Sequence, residues 1–466
     1  MLNRSLIAAA ITFAFAGPAF AQDSELAKIR TEIEQMKHAY EKRIEALEKR
    51  LAETESKAGK AEQSAANAEA AAVSTAGRGG ENAFNPAISM VLQGTYARTT
   101  QDPNGYRITG FVPSGGEVGP PKRSFGLGET ELAIASNIDP YFRGVAIASL
   151  APEGGASVEE AYFQTLALPA GLIVKGGRFF SGLGYLNEQH QHVWDFQDAP
   201  LPYKAFLGTQ LKQDGLQLKW IAPTDLLVEL GAEISSGDQF PGSDRNKNGI
   251  GGSSLFGHVG GDIGSSYAWR TGLSYLRTSP QGRGYADTDA LGGAVANSFT
   301  GKARLWVADA VLKWAPNGNS QSTSFKLQGE YFRFAQDGRL SYDDSGGSGV
   351  FGNLADAFNS RQSGWYLQGV YQFAPQWRAG YRYDRLNSGS VNNGLVLNGA
   401  GPVAADFPLL APYSPSRNTL MFDWSPTEFS RIRLQFAADK SRLGVTDNQV
   451  FVQYIYSLGA HGAHRF

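Results

Sequence analysis

The chain of 466 residues carries 42 lysines and arginines against 44 aspartates and glutamates, so its charge gives no reason to expect a nucleic-acid partner. It contains no cysteine, which excludes disulfides, thiolate metal sites and cysteine nucleophiles. The 56 glycines and 12% aromatic residues, with a negative mean hydropathy, are typical of a membrane β-barrel whose alternate residues face water. A soluble β-rich periplasmic protein is the alternative.

Residues 1–21 have the three parts of a secretory signal peptide. A basic start at Arg4 is followed by an apolar run and by Ala19-Phe20-Ala21, which is an A-x-A cleavage site. No later stretch reaches the ~20 consecutive apolar residues of a transmembrane helix. The sequence therefore predicts an exported protein of the periplasm or the outer membrane.

Residues 22–57 predict an α-helix with a narrow apolar stripe between charged faces. A spacing of three and four residues is typical of a coiled coil, and a single chain supplies one such helix, so we expect another copy as its partner. The alternative is an amphipathic helix on the protein's own surface. Residues 58–82, rich in Ala, Gly and Ser, predict a flexible linker. The stripe consists of Leu26, Ile29, Ile33, Met36, Tyr40, Ile44, Leu47 and Leu51.

From residue 83 to residue 466 the period of the apolar residues changes to two. Ile432 and Leu434 alternate with Arg431 and Arg433, and a face with two arginines fits a water-filled lumen. Short turns with Pro or Gly alternate with long Gly-rich segments, and the last alternating run precedes a terminal Phe466. This pattern predicts an all-β transmembrane β-barrel in the outer membrane.

The parity of the strands indicates their number. If both termini and all short turns lie on one side, residues 225–301 divide into strands near 226–234, 253–261 and 267–277, with a tight turn at 262–264. The total is then 16 antiparallel strands. Residues 171–180 become the fifth strand, and residues 181–208 become a long third loop that we expect to fold into the lumen and narrow it.

A resemblance is carried by Glu159-Glu160-Ala161-Tyr162-Phe163, a Pro-Gly turn, Val174-Lys175-Gly176-Gly177-Arg178-Phe179 and Gly182-Leu183-Gly184. This sequence resembles the strand-turn-strand region of the phosphate-selective porin family and its dicarboxylate-porin relatives. The resemblance implies a trimeric outer-membrane barrel of 16 strands. Some members carry an N-terminal periplasmic coiled coil, to which residues 22–57 are similar.

Charged residues on the lumenal face and in the third loop are the candidate pore-lining and constriction residues. Charges of opposite sign across a pore favour small charged or dipolar solutes. His190 and His192 are candidate ligands of zinc or copper, but two histidines leave a site incomplete, so we expect no metal and no other cofactor. The candidates are Lys175, Arg178, Glu188, His190, His192, Asp195, Asp198, Lys204, Arg378, Arg382, Arg431 and Arg433.

The predicted function is an outer-membrane porin for passive diffusion of small charged solutes through a lumen narrowed by residues 181–208. The sequence lacks G-x-S-x-G, P-loop and H-E-x-x-H motifs, so we do not expect an enzyme. The expected partners are two further copies, joined through the coiled coil and the barrel walls, outer-membrane lipids, and a small-molecule or ion solute. The alternatives are a substrate-specific uptake protein for zinc or a metal complex, and a structural protein that tethers the envelope.

Overall fold

A computed structural model describes residues 86–115, 118–151 and 154–459. The predicted signal peptide, coiled coil and linker lie outside the described residues, as does the C-terminal segment 460–466. Within the described ranges, no helix has both the length and the apolar character needed to cross a membrane.

The described residues form a single sheet of 18 strands. Two short α-helices lie in the loops: α1 is Leu201–Leu207 and α2 is Gly394–Leu397. The strands are β1 Ala87–Thr99, β2 Ser124–Leu127, β3 Thr130–Asn137, β4 Phe142–Leu150, β5 Ala156–Thr165, β6 Leu172–Phe180, β7 Lys212–Ile221, β8 Leu227–Ser235, β9 Gly252–Ile263, β10 Tyr267–Thr278, β11 Arg283–Thr288, β12 Ala294–Trp314, β13 Ser324–Asp343, β14 Asn353–Ala374, β15 Trp377–Asn393, β16 Ser416–Thr427, β17 Ser430–Lys440 and β18 Asp447–Gly459.

The 18 strands occupy 16 positions in a closed antiparallel wall. β2 and β3 pair with different halves of β1, so together they fill one position. β10 and β11 likewise pair with different halves of β12. β1 closes the barrel against β18, with Ser89 opposite Gly459 and Thr99 opposite Gln449. The predicted count of 16 is confirmed, and β6 is the predicted fifth strand.

Alternation along each strand separates an apolar outer face from a polar lumen. On β14, Trp365 and Leu367 are exposed on the outside, while Tyr366 and Gln368 are buried toward the inside. This period of two follows from the pleat of the strand. The predicted lumenal face of Arg431 and Arg433 is observed, because both reach loop residues inside the barrel.

The two ends of the barrel differ in the length of their connections. At one end, which we call the turn end, neighbouring strands are joined by segments such as 138–141, 222–226, 264–266 and 375–376. At the other end, which we call the loop end, the connections include 100–123, 181–211, 236–251 and 394–415. This asymmetry agrees with the pattern that the sequence predicted.

The main hydrophobic core lies inside the barrel rather than between layers. It combines residues of the segment 181–211 with inward-facing apolar residues of β10 and β12–β15. A separate cluster, built from Phe299, Tyr342, Phe358 and Phe407 among others, lies toward the loop end. The segment 181–211 is therefore part of the folded core.

Candidate functional site

The segment 181–211, which we call the inner loop, connects β6 to β7 and lies within the lumen. The sequence placed its end at residue 208, whereas β7 begins at Lys212. Asn187 joins the two ends of the loop, because its side-chain amide donates to the carbonyls of Ser181 at 2.8 Å and Leu211 at 3.0 Å. Its Oδ1 accepts the backbone N–H of Leu211 at 2.8 Å. The sequence analysis did not identify Asn187.

The helix α1 attaches the inner loop to the apolar part of the wall. The ring centroid of Tyr203 lies 5.0 Å from that of Phe332, and Phe206 lies 5.3 Å from Phe334. Tyr203 and Phe206 are fully buried, and burial of one such side chain contributes about 1.5–3 kcal/mol. Gly208 ends the helix with a φ of 63°, a left-handed conformation that favours glycine.

Glu330 on β13 fixes the inner loop by accepting hydrogen bonds from several donors. The Tyr203 hydroxyl lies 2.9 and 3.1 Å from its two oxygens, and the Tyr366 hydroxyl lies 2.6 Å away. The backbone N–H groups of Tyr185 and Leu186 donate to it at 3.2 and 3.1 Å. A buried carboxylate with this many donors holds the loop backbone in one position.

Three glutamates of β3 and β5 lie next to the two histidines of the inner loop. His190 Nδ1 lies 3.2 Å from Glu131 Oε2 and 3.3 Å from Glu159 Oε2, and its Nε2 lies 3.0 Å from Glu160 Oε2. His192 Nδ1 lies 2.9 Å from Glu131 Oε1. Burial lowers the pKa of His190, but the three carboxylates outweigh burial and hold that pKa well above its usual range.

Glu159 is a lumenal residue that alternation did not predict. Ile147 pairs with Glu160 while Ala148 pairs with Val158, so Glu159 is the extra residue of a β-bulge. A bulge sets two successive residues against one on the partner strand, and both Glu159 and Glu160 are buried here. Two adjacent glutamates within one strand were the available sequence signal.

Asp195 of the inner loop meets basic side chains on the opposite side of the barrel. Its carboxylate lies 2.9 Å from Lys326 Nζ on β13 and 3.0 Å from Arg378 Nη1 on β15. Burial raises the pKa of Asp195, but these cations outweigh it and hold the pKa below its usual range. The predicted residues Asp195 and Arg378 are thus brought together.

Asp198, also in the inner loop, forms ion pairs with three cations, whereas Asp195 forms them with two. Lys204 Nζ lies 2.8 Å from its Oδ2, Arg382 Nη2 lies 3.2 Å from its Oδ1, and Arg417 forms a further ion pair. Burial raises the pKa of Asp198, but Arg417, Lys204 and Arg382 hold it well below its usual range. Arg417 was not among the predicted residues, although it lies on the lumenal face of β16 by alternation.

Arg431 and Arg433 on β17 contact the loop backbone. Arg433 Nη2 donates to the carbonyl of Trp194 at 2.6 Å, and its Nε donates to Asp423 Oδ1 at 2.9 Å. Arg431 Nη1 lies 3.5 Å from the carbonyls of His192 and Trp194. Both predicted residues therefore hold the loop against the wall.

The two predicted cations of β6 lie on different faces. Lys175 is buried in the lumen, with Nζ 4.6 Å from the ring centroid of Tyr162. The prediction of Arg178 as pore-lining is wrong, because Arg178 pairs with Asp214 at 2.6 Å on the outer face. Asp214 is in phase with the exposed Leu216 of β7. Lys175 and Arg178 are three positions apart, so alternation puts one of them outside.

Glu188, another predicted residue, pairs with Lys219 of β7 at 3.2 Å. Lys219 also lies 3.2 Å from Glu229 of β8. This part of the inner loop is therefore tied to the wall next to its own strands.

Two cavities lie on opposite sides of the inner loop. The cavity toward the loop end has a volume of about 640 Å³ and is lined by Gln93, Asp198 and Lys204 among others. The cavity toward the turn end has a volume of about 540 Å³ and is lined by His190 and Arg378 among others. β1 contributes to both cavities, with Gln93 and Thr95 at the first and Ser89 and Val91 at the second.

The sequence matches no family model. An uncharacterized protein of Aquifex aeolicus (strain VF5) is 30% identical over 427 residues, which cover 83% of this chain and 81% of that protein. Among solved structures, a loop L8 deletion mutant of the Vibrio cholerae outer membrane protein OmpT has a TM-score of 0.49 and 12% identity, covering 80% of this chain and 99% of that one. The outer membrane channel DcaP of Acinetobacter baumannii has a TM-score of 0.46 and 12% identity, with coverages of 80% and 97%.

Proposed function

This chain belongs to the same family as the uncharacterized protein of Aquifex aeolicus, and from its geometry we propose that it is an outer-membrane porin for passive diffusion of small charged solutes. The observation that carries the proposal is a closed wall with an apolar outer face and a charged lumen crossed by an inner loop. A closed barrel satisfies every backbone hydrogen bond within the wall, which is what a strand-built protein requires in hydrocarbon.

The orientation in the membrane follows from the lengths of the connections. Short turns face the periplasm and long loops face outward in bacterial outer-membrane barrels. β1 begins at Ala87 next to the end of β3, which is the turn end, so the preceding residues would enter the barrel from the periplasm. The predicted coiled coil of residues 22–57 would then lie in the periplasm.

The inner loop would form the constriction. Its acidic partners Glu131, Glu159 and Glu160 lie on one side, while Arg378 and Arg382 lie on the other. Charges of opposite sign facing one passage favour solutes that carry charge over neutral ones of the same size. The sign of the preferred solute depends on how many of these charges remain unbalanced along the passage.

We also propose a homotrimer through the barrel walls and the predicted coiled coil. The outer face of β13–β16 has a shallow apolar depression at Gly369 and Ala379, bordered by Leu367, Tyr381 and Leu420. Small residues among large ones allow a neighbouring wall to approach closely. Chemical cross-linking in detergent, followed by denaturing electrophoresis, would give a trimer band if this arrangement is present.

Single-channel recording in planar bilayers tests the channel proposal. Folded, detergent-purified protein should give discrete conductance steps, and reversal potentials in a salt gradient should report the charge preference. Replacement of His190, His192, Asp195 or Lys204 should change conductance or ion preference because each lies in the inner loop. The matched control is Asp225→Asn, an exposed aspartate in a turn between β7 and β8, which should leave both unchanged.

Two results would contradict the proposal. Folded wild-type protein that never conducts would exclude a diffusion channel. Conductance that is insensitive to all four inner-loop replacements would show that the constriction lies elsewhere.

A further inference from the structure

Three metal-ligating side chains converge where the inner loop meets β3 and β5. One donor atom each from Glu131, Glu159 and His190 lies within 4.8 Å of the other two. Both glutamates are buried, and the imidazole of His190 is 17% exposed. Carboxylate oxygen and imidazole nitrogen together are a ligand set for zinc and related transition metals, whereas calcium and magnesium prefer oxygen alone.

Two distances between the donor atoms match those of a tetrahedral site. Zn²⁺ binds nitrogen and oxygen at about 2.0–2.2 Å, so adjacent ligands at a tetrahedral centre lie about 3.3–3.5 Å apart. His190 Nδ1 lies 3.2 Å from Glu131 Oε2 and 3.3 Å from Glu159 Oε2. Two edges of a tetrahedron are therefore already present.

The Nδ1 atom of His190 is buried and makes no hydrogen bond of acceptable geometry, although two carboxylates lie close to it. Its ring partner Nε2 is 3.0 Å from Glu160 Oε2. Donation of Nε2–H to a carboxylate turns Nδ1 toward the glutamates, which is the usual outer-shell arrangement of a zinc-bound histidine. A metal ion that displaces the proton of Nδ1 would therefore meet its lone pair.

The other oxygens of the three glutamates around His190 also accept hydrogen bonds. Glu131 Oε1 accepts from His192 Nδ1 at 2.9 Å, and Glu159 Oε1 accepts from Lys212 Nζ at 3.3 Å. Glu160 Oε1 accepts from the backbone N–H of Phe180 at 3.1 Å. Each of the three ligands is therefore held by a second contact besides those among themselves, and Glu129 lies next to Glu159 as a further hydrogen-bond partner.

From this arrangement we propose that Glu131 Oε2, Glu159 Oε2 and His190 Nδ1 bind one divalent transition metal ion of the Zn²⁺ type. The fourth position faces the cavity of about 540 Å³ toward the turn end, where water or a solute group can bind. The metal links the inner loop to the wall through β3 and β5. Its binding does not depend on the proposed channel function, but any effect on conductance does.

Isothermal titration of the refolded, chelator-treated protein with ZnCl₂ tests the site. The background should carry His461→Gln and His464→Gln, which remove the histidines near the C-terminus. We expect one Zn²⁺ per chain, no competition from a large excess of Ca²⁺ or Mg²⁺, and tetrahedral d–d absorption bands with Co²⁺. His190→Gln should weaken binding by at least about 100-fold, and Glu160→Gln by about 10-fold because it acts through the ring.

The matched control is His258→Gln. His258 is another lumenal histidine, but its carboxylate neighbours Glu229 and Asp309 face different ring nitrogens, so they do not share a donor atom. This change should leave Zn²⁺ affinity unaltered. A second measurement does not depend on the ligand variants: zinc X-ray absorption of the protein that carries only His461→Gln and His464→Gln. It should show one imidazole and oxygen ligands around the metal. This result remains valid even if a ligand variant fails to fold.

The proposal is overturned if Zn²⁺ does not bind, or if His190→Gln and the control background bind it equally. Binding that Ca²⁺ displaces at equal concentration would show a non-selective acidic cluster and would also overturn it. A channel that conducts but binds no zinc would leave the porin proposal intact. Zinc binding by a protein that does not conduct would leave the metal site intact.

Discussion

The hydroxyl of Tyr203 lies 2.9 and 3.1 Å from the two carboxylate oxygens of Glu330. Tyr203 belongs to a loop between the fifth and sixth positions of the wall, whereas Glu330 lies on β13, across the lumen. This pair ties a loop from one side of the barrel to the other, so the inner loop is held at both ends and at its middle.

Glu330→Gln should loosen the inner loop. Two backbone N–H groups and two tyrosine hydroxyls all donate to Glu330, so the NH₂ of a glutamine would face a donor unless a hydroxyl turned to accept from it. We expect a loss of about 1–3 kcal/mol in the free energy of unfolding, measured by urea unfolding in lipid vesicles, and a larger, noisier conductance. Glu428→Gln, at an exposed turn, is the control. Equal stability of both variants would contradict this role.

Gly184→Ala should displace the loop backbone. Gly184 has a φ of 69°, and a Cβ there would lie 2.3 Å from Glu330 Oε2. Gly264→Ala is a matched control, because Gly264 has a φ of 62° with nothing within 4 Å of the added Cβ. The control should lose about 1–2 kcal/mol from backbone strain alone. Gly184→Ala should lose more in the same unfolding assay, and an equal loss would exclude the close contact.

Asp198→Asn should shift ion preference toward anions. The change leaves Lys204, Arg382 and Arg417 without their shared counter-charge beside the loop-end cavity. The reversal potential in a salt gradient should move in the anion-selective direction, while Asp139→Asn in an exposed turn should not move it. An unchanged potential would show that solutes do not pass near Asp198.

The same residue predicts a pH dependence of stability. The pKa of Asp198 is held well below its usual range, so its contribution to stability is present above the unfolded pKa of about 3.9 and is lost as the pH falls through the folded pKa. The difference in unfolding free energy between wild type and Asp198→Asn should stay constant, at up to about 3–5 kcal/mol, from about pH 5 to 8. It should shrink below about pH 4. If the difference in unfolding free energy already fell near neutral pH, the pKa of Asp198 would not be below its usual range.

The number of strands in the barrel wall could be predicted from the sequence because each strand carries its own period of two. The parity of the connections led to the 16 positions that the structure shows, although β2 with β3 and β10 with β11 each divide one position into two strands. Alternation also identified the lumenal cations Lys175, Arg378, Arg382, Arg431 and Arg433. It failed at Glu159, where a bulge turns two neighbours inward. For Lys175 and Arg178, which are three positions apart, alternation allows only one lumenal residue, and the structure shows that this residue is Lys175.

By itself, the sequence determined the strand count, the lumenal face of most strands and the presence of a long third loop, since these depend on local alternation and on turn residues. The tertiary structure alone decided which charges meet. Tyr203 and Glu330 are 127 positions apart, and Asp198 and Arg417 are 219 apart. Such pairs form because closure of the barrel brings distant strands around one loop. A period of two gives the face of a residue but carries no information about its partner across the lumen.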